Sequence, residues 1–241
     1  MAGVRILVNK QIPLTDWNHE FVPVRSALTD DAGLTPLAVF GLLNPIDDSG
    51  NGYKVTKAGG VIKTYGLDYQ AATGGSGTDY VPAESAFTVL VAFKIDNLSE
   101  FGNIINCLNL TAGNGSGFSL AYSNTDNKLQ LRVAYASGGQ STNAFTDTIV
   151  QGKWYSLVFT FTPGAWRAQL NTGSVVLGGN ESNPVPVPAS PLLIGKSSTT
   201  GAFTGSVGFV AVYDGVMTIE QCGNAITIAS EVMSNRGVTI G

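Results

Sequence analysis

The feature that most constrains this chain is a period-two alternation of apolar and polar side chains, repeated in short runs that end at Gly, Asn or Ser. In "FTVLVAFKI", Phe87, Val89, Val91, Phe93 and Ile95 fall on one face of an extended segment. In "KLQLRVAYA", Leu129, Leu131, Val133 and Tyr135 do so, with Gln130 and Arg132 opposite. "WYSLVFTF" sets Tyr155, Leu157, Phe159 and Phe161 against Ser156 and Thr160. "WRAQLN" sets Trp166, Ala168 and Leu170 against Arg167, Gln169 and Asn171. Successive side chains of a strand point to opposite faces, so one greasy and one polar face per strand predicts antiparallel sheets around a single core. Thirty glycines supply the turns between them.

Two regions break the alternation. Near the C-terminus, Thr218 and Gln221 form a capping box. Ile219, Cys222, Ile226, Ala229 and Met233 follow as an apolar stripe, and Asn235, Arg236 and Gly237 are stop signals. This predicts one helix packed on the sheets, with Cys222 filling core. Residues 1–36 lack glycine between Gly3 and Gly33, carry several charges and are interrupted at Pro13 and Pro23. They read as an extended arm with short strands. The expected organisation is an arm over 1–36, a β-sandwich over 37–217, and a helix with its tail over 218–241.

Composition excludes several partners. Lys and Arg total 13, they are scattered, and the net charge is −4. Nucleic-acid binding needs clustered cations to displace phosphate counterions, so no nucleic-acid partner is expected. No apolar run approaches membrane-spanning length, and no membrane partner is expected. "MAGVRILVNKQIPLTDW" shows no secretory leader, which implies synthesis in a cytosol. In that compartment Cys107 and Cys222 are expected as free, buried thiols. Charged residues make up only 12% of the chain, a surface suited to protein or neutral sugar.

The acidic stretch "NPIDDSGNGYKV" invites a metal reading. Asp47, Ser49 and Asn51 fall at positions 1, 3 and 5 of a calcium loop, with Gly52 at position 6. The twelfth position, which should be a bidentate Glu, is Ala58. The EF-hand pattern therefore fails. Two readings stay open: a turn alone, or a turn with a weak calcium site at Asp47, Asp48 and Asn51.

The same stretch carries a resemblance. "LLNPIDDSGNGYKVTKAGGV" resembles the opening of laminin-G-like, concanavalin A-like lectin domains, where an Asp-Ser-Gly-Asn-Gly loop follows the first strand. "GLDYQAATGGSGTDYVPAESAFTVLVAFKI", "GKWYSLVFTFTPGAWRAQLNTG", "SPLLIGKSS" and "FTGSVGFVAVYDGVMTIEQ" resemble later segments of that family, in order. The resemblance covers about residues 37 to 222. It implies a two-sheet antiparallel jelly roll, and it leaves function open, because this fold hosts many roles. Residues 1–36 match nothing in the family pattern.

Some relatives are glycosidases, which place two carboxylates across the scissile bond, usually from a Glu-x-Asp-x-x-Glu strand. No such strand is present, and the Glu residues are isolated. His19 is the single histidine, no nucleophile elbow accompanies it, and two cysteines cannot build the usual zinc site. "TGGSGT" and "SGGQST" lack the Lys-Ser/Thr ending of a phosphate loop. The expectation is a protein that is not an enzyme.

Sugar binding would need aromatic platforms beside polar groups. Trp17, Trp154, Trp166, Tyr65, Tyr69, Tyr80 and Tyr122 are candidates; Trp154 opens a core strand and reads as packing, Trp166 shares the parity of Ala168 and Leu170, which favours the core, and none is singled out as a carbohydrate site.

Two functions follow. The first is a virion structural or assembly protein, a bacteriophage capsid decoration or tail component made in the host cytoplasm. It would bind other virion proteins or copies of itself as a homo-oligomer, and possess a sandwich that adheres to host-surface glycan. Its assembly arm would use Val4, Ile6, Val8 and Trp17, with "VRILV" added as a strand to a neighbour's open edge. The second is a stand-alone glycan-binding lectin, with or without assistance from calcium.

Overall fold

A computed structural model describes residues 27–57, 59–71, 74–179, 185–196 and 203–241. Among them, fifteen strands form two antiparallel sheets. The first has eight strands. Seven run in the order β13 (Val175–Gly179), β12 (Ala165–Leu170), β11 (Trp154–Thr162), β6 (Phe87–Ile95), β15 (Gly205–Asp214), β4 (Gly66–Tyr69), β3 (Val61–Lys63). The eighth, β1 (Pro36–Phe40), also pairs with β15. The second sheet runs β10 (Gln140–Thr148), β9 (Lys128–Ala134), β8 (Phe118–Ser123), β7 (Gly102–Asn106), β14 (Leu193–Ile194), β5 (Ser76–Thr78), β2 (Val55–Lys57). This is the two-sheet antiparallel sandwich that the alternation predicts.

The inner faces meet in an apolar core. Phe87, Val89, Val91, Phe93 and Ile95 of β6 all enter it, as do Leu129, Leu131 and Val133 of β9 and Trp166, Ala168 and Leu170 of β12. Four phenylalanines anchor it: Phe87 stacks on Phe161 at 4.9 Å, and Phe118 meets Phe159 at 4.7 Å. Such ring pairs add about 1 kcal/mol each beyond area burial.

The expectation of a single core is corrected. A second core lies on the outer face of the first sheet, under α2 (Ile219–Ser234). Cys222, Ala225, Ile228, Ala229 and Met233 of the helix meet Leu90, Ala92, Trp154, Val158, Phe209 and Ala211. The central strands β6, β11 and β15 are therefore buried on both faces, and their short polar residues serve backbone groups instead of solvent. Thr88 Oγ1, for example, donates to Gly215 O at 2.8 Å and accepts from Met217 N at 3.1 Å.

A bulge lets β15 serve both cores. Its pairing with β6 shifts register between Val207 and Phe209. Val207 faces the inner core, Phe209 the outer one, and Val210 the inner one again. The residue at the shift is Gly208, where a Cβ would meet Met233 Sδ at 2.5 Å. A larger residue here would make the Met233 side chain shift, so glycine lets the helix close on the sheet as it stands.

The helix begins with the predicted capping box: Thr218 Oγ1 accepts from Gln221 N at 3.2 Å, and Gln221 Oε1 accepts from Thr218 N at 2.9 Å. Ile219 departs from the expected stripe and is 72% exposed. It opens the first turn beside an open groove that Leu177 also lines.

The end of the expected arm belongs to the fold. Ala27–Asp30 form a short helix, α1, whose Leu28 is buried against the outer core, and Leu28 O accepts from the Tyr213 hydroxyl at 2.8 Å. Residues 1–26, with Val4, Ile6, Val8 and Trp17, lie outside the described residues. Cys107 and Cys222 are free and buried, one in each core.

Candidate functional site

The two outer faces of the sandwich differ. On the first sheet, α2 covers the central strands. On the second sheet, Phe118, Leu120 and Tyr122 of β8 point inward, so Ser119, Ala121 and Ser123 point outward. Registers carry this parity across the sheet. One row reads Asn103, Ala121, Gln130, Ala144, and the next reads Asn106, Ser119, Arg132, Thr142. The face is made of amides, hydroxyls, one guanidinium and small apolar groups.

Its polar groups are ordered by one another. Arg132 donates to Gln130 Oε1 from Nη2 at 2.8 Å and from Nε at 3.3 Å. Gln130 Nε2 donates to Asp126 Oδ2 at 2.9 Å, and Ser123 Oγ donates to the same oxygen at 3.3 Å. Asn103 Oδ1 accepts from Ser119 Oγ at 2.7 Å and from Asn106 Nδ2 at 3.4 Å. The Arg132 guanidinium lies 4.6 Å from the centre of the Phe101 ring. Half-burial there depresses its proton affinity below the usual arginine value, and it remains cationic at any physiological pH. Gln140, at the rim beside Ala134, holds a buried Oε1 that accepts no hydrogen bond. A planar cation stacked on an aromatic ring, beside fixed amides, matches the needs of a hydroxyl-rich ligand.

The aromatic candidates read from sequence do not build such a place. Trp166 is buried in the inner core, as its parity suggests, Trp154 is buried on the opposite face of its strand, in the outer core under the helix, and Tyr69, Tyr80 and Tyr122 are fully buried. Tyr65 is half-buried and donates to the Asp68 carboxylate at 2.9 Å. Trp17 lies outside the described residues. The ring that matters, Phe101, sits before β7 in a turn without alternation, so sequence reasoning missed it. Gln130 and Arg132 were legible as the polar side of β9.

The acidic loop does not offer a calcium ligand set. Asp47 is buried, and its Oδ1 accepts from Val39 N at 2.7 Å and Ser49 N at 2.9 Å. Its Oδ2 accepts from Ser49 Oγ at 2.6 Å. Asn51 turns its amide nitrogen onto Leu37 O at 2.9 Å. Asp48 faces Gly41 and the Arg236 guanidinium; partial desolvation raises its carboxyl, and Arg236 pulls the other way. The three side chains serve three different structural partners, so they do not fit one cation. Among the described residues no cluster of three His, Cys, Asp or Glu side chains could hold a metal.

Two packed antiparallel sheets, a helix sealing one outer face and a polar outer face on the other define a lectin-like β-sandwich. The chain belongs to the concanavalin A-like lectin/glucanases superfamily, whose model matches residues 68–222. Among solved structures it is similar to domain 4 of AbnA, an extracellular arabinanase from Geobacillus stearothermophilus, in complex with arabinotriose. That likeness has 16% identity and a TM-score of 0.60, and covers 80% of this chain and 98% of that one. The receptor-binding domain of botulinum neurotoxin mosaic serotype C/D is similar at 14% identity and a TM-score of 0.61 over 80% of this chain. Trypanosoma rangeli sialidase is similar at 17% identity and a TM-score of 0.59 over 83% of this chain. The chain spans 50% of the neurotoxin domain and 33% of the sialidase. These likenesses establish the architecture. No curated protein sequence matches the chain.

Proposed function

We propose that the chain is a non-enzymatic display module: its second sheet binds neutral glycan, and its N-terminal segment ties the sandwich into a larger assembly. The observation that carries the first half is the polar outer face, with Arg132 stacked on Phe101 beside Gln130. The similar arabinanase domain, solved in complex with arabinotriose, is consistent with it. The second half rests on a segment that precedes the matched family region and on a surface poor in charge. A bacteriophage virion component, a capsid decoration or tail protein adhering to host-surface glycan, combines both properties.

A glycan array followed by titration tests the binding half. Arg132→Ala and Phe101→Ala are each expected to weaken the best hit about tenfold, the worth of one charge-assisted hydrogen bond or one stacked ring. A blank array sinks the glycan reading, and unchanged affinity in both variants removes this face from it. Light scattering tests the assembly half, comparing the full chain with one that starts at Ala27. The cut belongs there because Leu28 is part of the outer core. An oligomer that becomes a monomer supports the reading, and identical masses count against it.

A further inference from the structure

The stacked pair of Arg132 and Phe101 draws support for both members from one turn. Residues 124–127 join β8 to β9. Asn127 closes that turn in the left-handed region, at φ 54°, where asparagine is better tolerated than most side chains. Its Oδ1 accepts from the Tyr122 hydroxyl at 2.9 Å. The Tyr122 ring is buried in the inner core, so the turn is pinned from beneath. Two side chains reach out from it. Asn124 Nδ2 donates to Ser99 O at 3.0 Å, in the segment that carries Phe101. Asp126 Oδ2 accepts from Gln130 Nε2 at 2.9 Å.

The contact with Gln130 sets a direction. Gln130 is buried and lies between Asp126 and Arg132. A carboxylate offers only acceptors and a guanidinium only donors. The amide between them therefore has one sense, Nε2 toward Asp126 and Oε1 toward Arg132. That oxygen takes two donors of the guanidinium, Nη2 at 2.8 Å and Nε at 3.3 Å, and so fixes its plane above the Phe101 ring. Among the described residues nothing accepts from Arg132 Nη1, which is left to donate to a ligand. We infer that Asp126 is a positioning residue of the glycan face: acting through Gln130, it holds Arg132 in the orientation that binds. This rests on the glycan reading above and names the turn that builds its site. Without Asp126 the Gln130 amide is free to rotate and set Nε2 against Arg132, donor facing donor. The ring then holds the guanidinium by one face only, and a ligand must order the side chain itself, which weakens binding.

Titration of the best array hit against the full chain tests this. Asp126→Ala is expected to bind about fivefold more weakly, the scale of one hydrogen bond. Asp126→Asn keeps an oxygen for Gln130 Nε2 and is expected to bind within about twofold of the unaltered chain. Asp126→Ala placed in an Arg132→Ala chain is expected to change nothing further, because the two act as one unit. Asp126 is exposed, so Asp126→Ala is expected to unfold at the same urea concentration as the unaltered chain. Undiminished affinity in Asp126→Ala, where Arg132→Ala does weaken binding, overturns the inference and leaves the glycan reading standing. An equal loss in the Arg132→Ala background also overturns it, since Asp126 would then touch the ligand itself. A second readout needs no glycan and decides the matter even if the array is blank. The Arg132 Nε–H resonance is expected to exchange faster with water in Asp126→Ala and to recover in Asp126→Asn. Exchange that Asp126→Ala leaves unaltered overturns the inference.

Discussion

At the scale of single residues, the sandwich shows how an acidic loop can be spent on the backbone. Asp47 looks like a metal ligand by spacing, yet its two oxygens take three donors from β1 and Ser49. A buried carboxylate so engaged holds the first strand in register. Asp47→Ala leaves the Val39 amide without its acceptor and should cost about 2 kcal/mol of stability in urea unfolding. The same geometry predicts that millimolar calcium, or its removal by chelator, leaves the melting temperature unchanged. A calcium-dependent rise in melting temperature that disappears in Asp47→Ala would show that the loop opens to a cation.

At the scale of elements, Arg236 performs a task that no strand can. β1 and β4 share one edge of β15, β4 along Gly205–Val207 and β1 from Val210 to Tyr213. Between them, among the described residues, no strand pairs with that edge of β15, and Arg236 Nη1 fills the gap. It donates to Gly208 O at 2.7 Å, Gly41 O at 2.9 Å and Tyr65 O at 3.3 Å. Arg236→Ala should cost about 3 kcal/mol, because it strands carbonyls from three segments. Arg236→Lys should restore less than half of that, since the lysine side chain ends one bond short of the Nη1 position and its ammonium cannot reach all three carbonyls. Full rescue by lysine in urea unfolding would show that charge alone is needed.

This element-scale detail also marks what the sequence could and could not reveal. Alternation made the inner faces of β6, β9, β11 and β12 legible, and the capping box made the start of α2 legible. The bulge at Gly208 was not, since "GSVGFVAVYD" is an apolar run whose parity is ambiguous. The doubly buried strands were missed for a related reason: small or hydroxylated residues such as Ala92 and Thr88 look polar or neutral in sequence but pack under a helix. On the candidate site, Gln130 and Arg132 showed as a polar face. Phe101 did not, because its contact with Arg132 depends on how β7 and β9 are spaced across the sheet.

At the scale of the whole molecule, the question is whether the helix is a separable cap or part of one cooperative unit. The first sheet contributes to both cores through the same strands. Leu90 and Ala92 of β6 meet the helix, while Val89 and Val91 meet the second sheet. Peeling off α2 would expose Phe209 and Trp154 as well as its own apolar stripe, at roughly 25 cal/mol per Å² of apolar surface. The two free thiols report on the two cores separately. Burial pushes the Cys107 thiol up to about 12 and raises that of Cys222 as well, so neither offers thiolate at neutral pH in the folded state. Both should be inert to a thiol reagent without denaturant and become reactive at the same urea concentration, coincident with loss of fluorescence from the buried tryptophans. If Cys222 reacts at lower urea than Cys107, the helix opens first and the outer core is a separate, weaker unit.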